Sequence, residues 1–188
     1  MNWKTIKSAY AFICPWLRVR KDHVQLPSGF EIDDFYVVES SDWVNVIAIT
    51  EDGRFLIEEH YRYGIGQVCF ELPAGVVSKG EVPLTAAKRE LKEETGLDFH
   101  PYEVDEIYSK PYFTTIGMTD ESCAAVYGTA TGVISKDGLE ETEDIEVILA
   151  DRAEIRRILQ DEHVSLMCAY MMMHFLHAEP GKAFDFLK

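Results

Sequence analysis

The chain has 188 residues, 47% of them hydrophobic, a formal charge of −15 and a pI near 4.7. That length fits one compact domain, or one domain with an appended element, and the apolar content supports a packed core, which excludes a disordered chain. The negative field lacks the basic surface that extended nucleic-acid binding needs, and a small anionic substrate would bind only where cations neutralise the site locally.

Residues 1–42 read as an N-terminal antiparallel β element, and 43–188 as the main domain. Trp16–Arg20, His23–Leu26 and Phe30–Val38 are expected strands, separated by turns at Lys21-Asp22 and Pro27-Ser28-Gly29. So small a piece has little core of its own and is expected to pack on the main domain or on a partner subunit. The opening MNWKTIKSAYAFICPW lacks the apolar length and small-residue cleavage pattern of a secretory leader. In the main domain, Val44–Thr50 and Phe55–Glu59 flank Glu51-Asp52-Gly53, a hairpin signal, because Asp-Gly tolerates positive φ. The second strand runs on into His60-Tyr61-Arg62; Gln67–Leu72 is another, broken by Pro73-Ala74-Gly75.

The stretch Gly75 to Leu97 reads GVVSKGEVPLTAAKRELKEETGL. Pro83 suits a first helical turn and Gly96 the position just past a helix end, so a helix is expected over Pro83–Thr95. At about 100° per residue, Glu90, Glu93 and Glu94 share one arc. Leu84, Ala87 and Leu91 form a stripe able to bury against a sheet. Like charges three and four apart destabilise a helix, and a hard divalent cation with oxygen ligands is the simplest compensation.

Farther along, Tyr102–Tyr108 and Ser122–Ala130 read as strands around the long loop Ser109–Glu121, and Ile145–Leu149 follows the acidic loop Asp137–Asp144. Helices are expected over Arg152–Leu159 and Val164–Leu176, the second with an apolar stripe of Leu166, Met167, Tyr170, Met171, His174 and Phe175. The apolar run Leu166–Leu176 is too short to span a bilayer, which takes about 20 residues. Cys14, Cys69, Cys123 and Cys168 show no metal spacing and read as free thiols of a reducing compartment. A cytoplasmic protein is expected, and none of the six histidines shows ligand spacing.

Gly75, Glu81, Arg89, Glu90, Leu91, Glu93, Glu94, Gly96 and Leu97 occupy every fixed position of G-x5-E-x7-R-E-U-x-E-E-x-G-U, where U is aliphatic. The segment thus resembles the Nudix box. With HYR before ELPAG and EETEDIEV downstream, the core from Val44 to Leu149 resembles the ADP-ribose pyrophosphatase branch of the Nudix hydrolases. The resemblance implies an α/β fold, the Nudix α/β/α sandwich with a mixed sheet, and a homodimer built through the N-terminal β element. It also implies Mg²⁺-dependent hydrolysis, with Mn²⁺ as a substitute, of a nucleoside diphosphate linked to another group, above all ADP-ribose to AMP and ribose 5-phosphate. A nucleoside diphosphate sugar such as GDP-mannose, and a non-catalytic ADP-ribose-sensing domain, are the alternatives.

The same resemblance implies residue roles. Glu90 and Glu94, the backbone carbonyl of Ala74 and Glu143 are the implied metal ligands. Glu93 is implied as a catalytic residue and further metal ligand, Arg89 orients the box carboxylates, and Glu81 supports the helix start; ion pairing of Arg89 and Glu81 also suits a purely structural role. Glu141 is the implied general base, although spacing alone leaves Glu140, Glu141 and Glu143 open. Arg62 is expected to meet phosphate through its guanidinium fork, and Glu121 the terminal ribose. The loop TTIGMTD departs from the branch by carrying Ile116 before Gly117 where a proline is typical. Trp43, Phe35 and Tyr36 suit either adenine stacking or strand packing.

Overall fold

The structure is a computed structural model and describes residues 2–187. In chain order its elements are β1 (Lys4–Ile13), β2 (Arg18–Gln25), β3 (Glu31–Glu39), β4 (Trp43–Thr50), β5 (Phe55–Arg62), β6 (Gln67–Glu71) and β7 (Ala74–Val76). They continue with α1 (Pro83–Thr95), β8 (Asp98–Pro101), α2 (Glu106–Ser109), β9 (Tyr112–Phe113), β10 (Ser122–Thr131), β11 (Ile145–Ala150), α3 (Arg152–Asp161) and α4 (Leu166–His177). The chain divides into two compact units. One runs to Asp42 and takes in Pro111–Cys123; the other comprises Trp43–Lys110 and the chain from Ala124 onward.

The first unit is a three-stranded antiparallel sheet of order β1-β2-β3. The two strands expected between Trp16 and Leu26 are one strand, because Lys21 and Asp22 pair with Tyr36 and Phe35 instead of turning. Asp22 is nearly buried there and receives the Arg20 guanidinium, which also meets Glu39, so its charge is partnered inside a strand. β1 was not foreseen: KTIKSAYAFI lacks clean alternation, and two register shifts against β2 explain why. The expected long loop Ser109–Glu121 carries the short β9, which pairs with Ser122 and Cys123, and Val38 N–H donates to Met118 O at 2.9 Å.

In the second unit the strand order is β11-β5-β4-β10-β8, with β6 on β5 and β7 on β4. Alternation sends Val46, Ala48 and Leu56 to one face, where they pack with Ala86, Ala87 and Leu91 of α1. Ile47, Phe55 and Ile57 point the other way, onto Ile155 and Ile158 of α3 and Met171, Met172 and Phe175 of α4. Helices on both faces make the expected α/β/α sandwich, a mixed α/β fold.

Three expectations fail here. Tyr102–Tyr108 is not a strand: the strand is β8, whose Phe99 registers with Ala130, and Glu106–Ser109 is a helical turn. Tyr102 and Tyr108 pack edge-on against Phe184 and Phe186, so their spacing reflects ring packing, not a pleat. Leu84 lies 42% exposed; the buried stripe of α1 is Ala86, Ala87 and Leu91, continued by Glu94 and Thr95. On α4 the buried face is Cys168, Met171, Met172 and Phe175, with Leu166 and Tyr170 exposed, because a helix apolar all round gives periodicity no phase.

Candidate active site

Helix α1 forms over the expected residues, with Pro83 in its first turn and Gly96 in the left-handed conformation at its end (φ 76°), where its N–H caps Lys92 O at 3.0 Å. Gly75 does not simply break the preceding strand. Ala74–Val76 form β7, paired with Trp43–Asn45 of β4, and lie against the carboxylate side of α1. Ala74 N–H donates to Glu94 Oε2 at 3.1 Å. A Cβ on Gly75 would stand 1.9 Å from Glu90 Cδ, so the missing side chain makes the space that the Glu90 carboxylate fills.

Arg89 ties these parts together. Its Nε donates to Glu81 Oε1 at 3.3 Å, one terminal nitrogen to Glu90 Oε1 at 2.7 Å and Glu93 Oε2 at 3.0 Å, and the other to Val76 O at 3.1 Å and Glu81 Oε2 at 3.2 Å. Five N–H donors meet five oxygens, so none remains for a substrate. These hydrogen bonds and ion pairs hold the guanidinium's proton well above the ordinary arginine range. Glu81 also accepts from Ser78 N–H at 3.0 Å, which fixes the loop before the helix. Arg89→Lys keeps the charge but has three donors and no planar fork. We expect kcat to fall ten- to a hundredfold, about 1.5–3 kcal/mol for lost charged hydrogen bonds, with an unchanged circular-dichroism spectrum.

Beneath the helix lies a carboxylate that the motif does not contain. Glu58, on β5 two residues beyond Leu56, is 3% exposed, and its Oε1 is buried without a hydrogen-bond partner. Burial raises its pKa, and the charges of Glu71, Glu143 and Glu90 add to the rise. Glu94, 7% exposed, is raised by burial and then by Glu58 and Glu90. Glu90 is raised by burial against the pull of Arg89, with Glu93 and Glu143 adding. Glu58, Glu90, Glu94 and Glu143 therefore share one electrostatic neighbourhood.

The acidic loop reaches it by packing on α1. Ser135 N–H donates to Thr95 O at 3.0 Å, and a Cβ on Gly138 would stand 2.6 Å from Glu93 O. Glu140 N–H donates to Glu143 Oε2 at 2.9 Å, and Glu143 N–H to Glu140 O at 3.0 Å, so this turn holds Glu143 half-buried. Glu141 is exposed on the same turn.

Arg62, at the end of β5, gives Nε and one terminal nitrogen to the two oxygens of Glu71 at 2.8 and 2.7 Å. This leaves three of its five N–H donors outside that pair. Glu71 registers opposite Glu58 on β6, and the Glu94 charge also acts on Arg62. Glu121 belongs to the first unit, where it accepts from Thr114 Oγ1 at 2.7 Å. Ala74, Arg89, Glu90, Glu93, Glu94 and Glu143 are thus brought together, with Arg62 at their border. Glu58 and Glu71 were missed, and no local sequence signal marks either, because their placement follows from the register of β5 with β11 and β6.

No group of three or more His, Cys, Asp or Glu side chains among the described residues is arranged to hold a metal ion as it stands. Glu90 and Glu93 are turned toward Arg89, and Glu94 toward Ala74 N–H. The donor set nevertheless fits a hard divalent cation: clustered carboxylates, an orphaned buried oxygen, and mutual repulsion that a cation relieves while leaving the carboxylates charged. Glu90 and Glu94 are the residues that could hold it.

The sequence matches the family described as NUDIX domain over residues 42–168, and that described as nucleoside diphosphate sugar hydrolase N-terminal domain over residues 3–38. It is 32% identical over 165 residues to the methanol dehydrogenase activator of Bacillus methanolicus, covering 86% of this chain and 85% of that protein. It is 30% identical over 167 residues to the ADP-ribose pyrophosphatase of Mycobacterium tuberculosis, covering 87% and 78%, and 27% identical over 162 residues to that of Bacillus subtilis, covering 86% and 85%. A solved structure described as an ADP compounds hydrolase superposes with a TM-score of 0.70 at 16% identity, covering 86% of this chain and 84% of that one, which supports the fold.

Proposed function

Because the chain belongs to the Nudix family and is a hydrolase of the ADP-ribose pyrophosphatase-like kind, we propose that it cleaves the pyrophosphate bond of ADP-ribose, with Mg²⁺ as cofactor and Mn²⁺ as a substitute. The observation that carries this reading is the cluster of Glu58, Glu90, Glu94 and Glu143 with Arg62 at its border, a place where cation and guanidinium neutralise a diphosphate together.

When bound at Glu90, Glu94, Glu143 and the Ala74 carbonyl, the cation supplies neutralising charge and a more acidic water. Arg62 holds the diphosphate with the N–H donors that Glu71 leaves over, and Glu71 fixes the plane of the guanidinium. Arg89 holds Glu90 and Glu93 in place. Glu141 takes the proton of the attacking water on its exposed carboxylate, carried by a turn anchored to α1 through Gly138. Glu121 receives the terminal ribose. The match of residues 3–38 to the nucleoside diphosphate sugar hydrolase family favours a second substrate, a nucleoside diphosphate sugar such as GDP-mannose. Turnover of both compounds with Mg²⁺ decides between them: a kcat/KM at least tenfold higher for ADP-ribose is expected, and equal or faster cleavage of GDP-mannose rejects it.

A homodimer through the first unit fits this reading. Every residue of β1 is exposed, among them Ile6, Tyr10, Phe12 and Ile13, an apolar edge that calls for cover. Light scattering giving the mass of one chain would reject it. No disulfide joins the cysteines among the described residues, which suits a reducing cytoplasm, and no helix among the described residues is long and apolar enough to cross a membrane.

A further inference from the structure

Glu58 occupies a position that the packing of the sheet would give to an apolar side chain. Leu56 precedes it on the same face of β5 and is wholly buried in the core under α1, and Val147, its register partner on β11, packs against that core. On the other side Glu58 is opposite another acid, Glu71, which is already spent on Arg62. Among the described residues no arginine or lysine bonds to Glu58, and its Oε1 has neither a hydrogen-bond partner nor solvent. A buried carboxylate left this way is destabilising, and a leucine or valine would serve the fold better. The charges around it are Glu71, Glu143 and Glu90, with Arg62 the opposing one, and it acts in turn on Glu94. A buried, unpartnered carboxylate oxygen that feels the charges of several other carboxylates suits a ligand of a hard cation.

We propose that Glu58 is a ligand of the divalent cation, delivering a carboxylate from the sheet to the same hard ion that Glu94 delivers one to from the helix. The inference rests on the metal reading of this site and adds to it a donor that lies outside the motif, 17 residues ahead of Gly75. Its consequence is a cation held between two layers of the sandwich. Binding then joins β5 to α1 and is felt as stability as well as activity.

The test uses Mn²⁺ as the probe on the full metal-stripped chain without substrate, with free Mn²⁺ read by electron paramagnetic resonance and the melting temperature followed with and without the ion. Wild type, Glu58→Gln, Glu58→Met and Glu94→Gln are compared. Both Glu58 variants are expected to melt, metal-free, at or above the wild type, to bind Mn²⁺ at least tenfold more weakly, and to lose most of the rise in melting temperature that Mn²⁺ gives the wild type. Either Glu58 variant binding Mn²⁺ as the wild type does, while Glu94→Gln binds weakly, overturns the role of Glu58 and leaves the metal site standing. Wild-type affinity in Glu94→Gln overturns the metal site itself.

Discussion

Glu94→Gln is expected to lower kcat for ADP-ribose by roughly a thousandfold, about 4 kcal/mol of transition-state stabilisation, while the metal-free protein becomes more stable. The two effects have one cause. Glu94 is nearly buried, feels the charges of Glu58 and Glu90, and accepts a hydrogen bond from Ala74 N–H. Its charged form is therefore disfavoured until a cation is present. An acid whose folded pKa lies above its unfolded value binds its proton more tightly in the native state, so stability is greatest below the ordinary glutamate value of 4.5 and falls as pH rises beyond it. Metal-free wild type should lose melting temperature steadily from pH 5 toward alkaline pH. Glu94→Gln should show a shallower decline, with Glu58 supplying the remainder. Saturating Mg²⁺ should flatten the wild-type profile, because the ion binds the native, deprotonated site. Calorimetric scans across pH, paired with steady-state kinetics, check both halves. A variant with undiminished kcat at saturating Mg²⁺ would show that Glu94 is not a ligand.

Gly75→Ala is expected to separate activity from stability in a different way. The new methyl carbon would lie 1.9 Å from Glu90 Cδ and 2.0 Å from its Oε1. The backbone at Gly75 is not in the left-handed region, so alanine strains nothing locally. What must move is the end of a flexible side chain. The fold survives at a cost below about 1 kcal/mol, as for substitutions that leave the core and backbone alone, but Glu90 leaves the cradle between β7 and Arg89. A fall in kcat of about a hundredfold, close to 3 kcal/mol, with the melting temperature held within a few degrees, is the expected result. Retained activity would mean that Glu90 acts from some other position.

The parts of the site that were legible in the sequence are those whose spacing is local. α1 was readable because Pro83 and Gly96 mark its ends by backbone chemistry alone, and Asp52-Gly53 marked the hairpin in the same way, with Gly53 at positive φ. Glu58 was not readable, because nothing in LIEEHYR says which of two adjacent glutamates points inward; that depends on the register of β5 against β11 and β6, a nonlocal property. Glu71 was hidden for the same reason. Glu143 was named with its neighbours, but only the turn it makes with Glu140 and the contact of Gly138 with α1 separate it from the exposed Glu141. The wrong phase on α4 has the opposite origin: too many apolar residues, so that only the packed sheet selects a face.

Arg89 reaches one residue along the helix to Glu90, four to Glu93, eight back to Glu81 and thirteen back to Val76. The fixed intervals of the motif can thus be understood as the reach of a single guanidinium projected onto the chain. Between Val76 and Glu93 a one-residue insertion would change at least one of those intervals and leave a donor pointing at nothing. The segment is therefore a closed ring in space although it is open in sequence, and it should tolerate changes of side chain at its unspecified positions far better than any change of length.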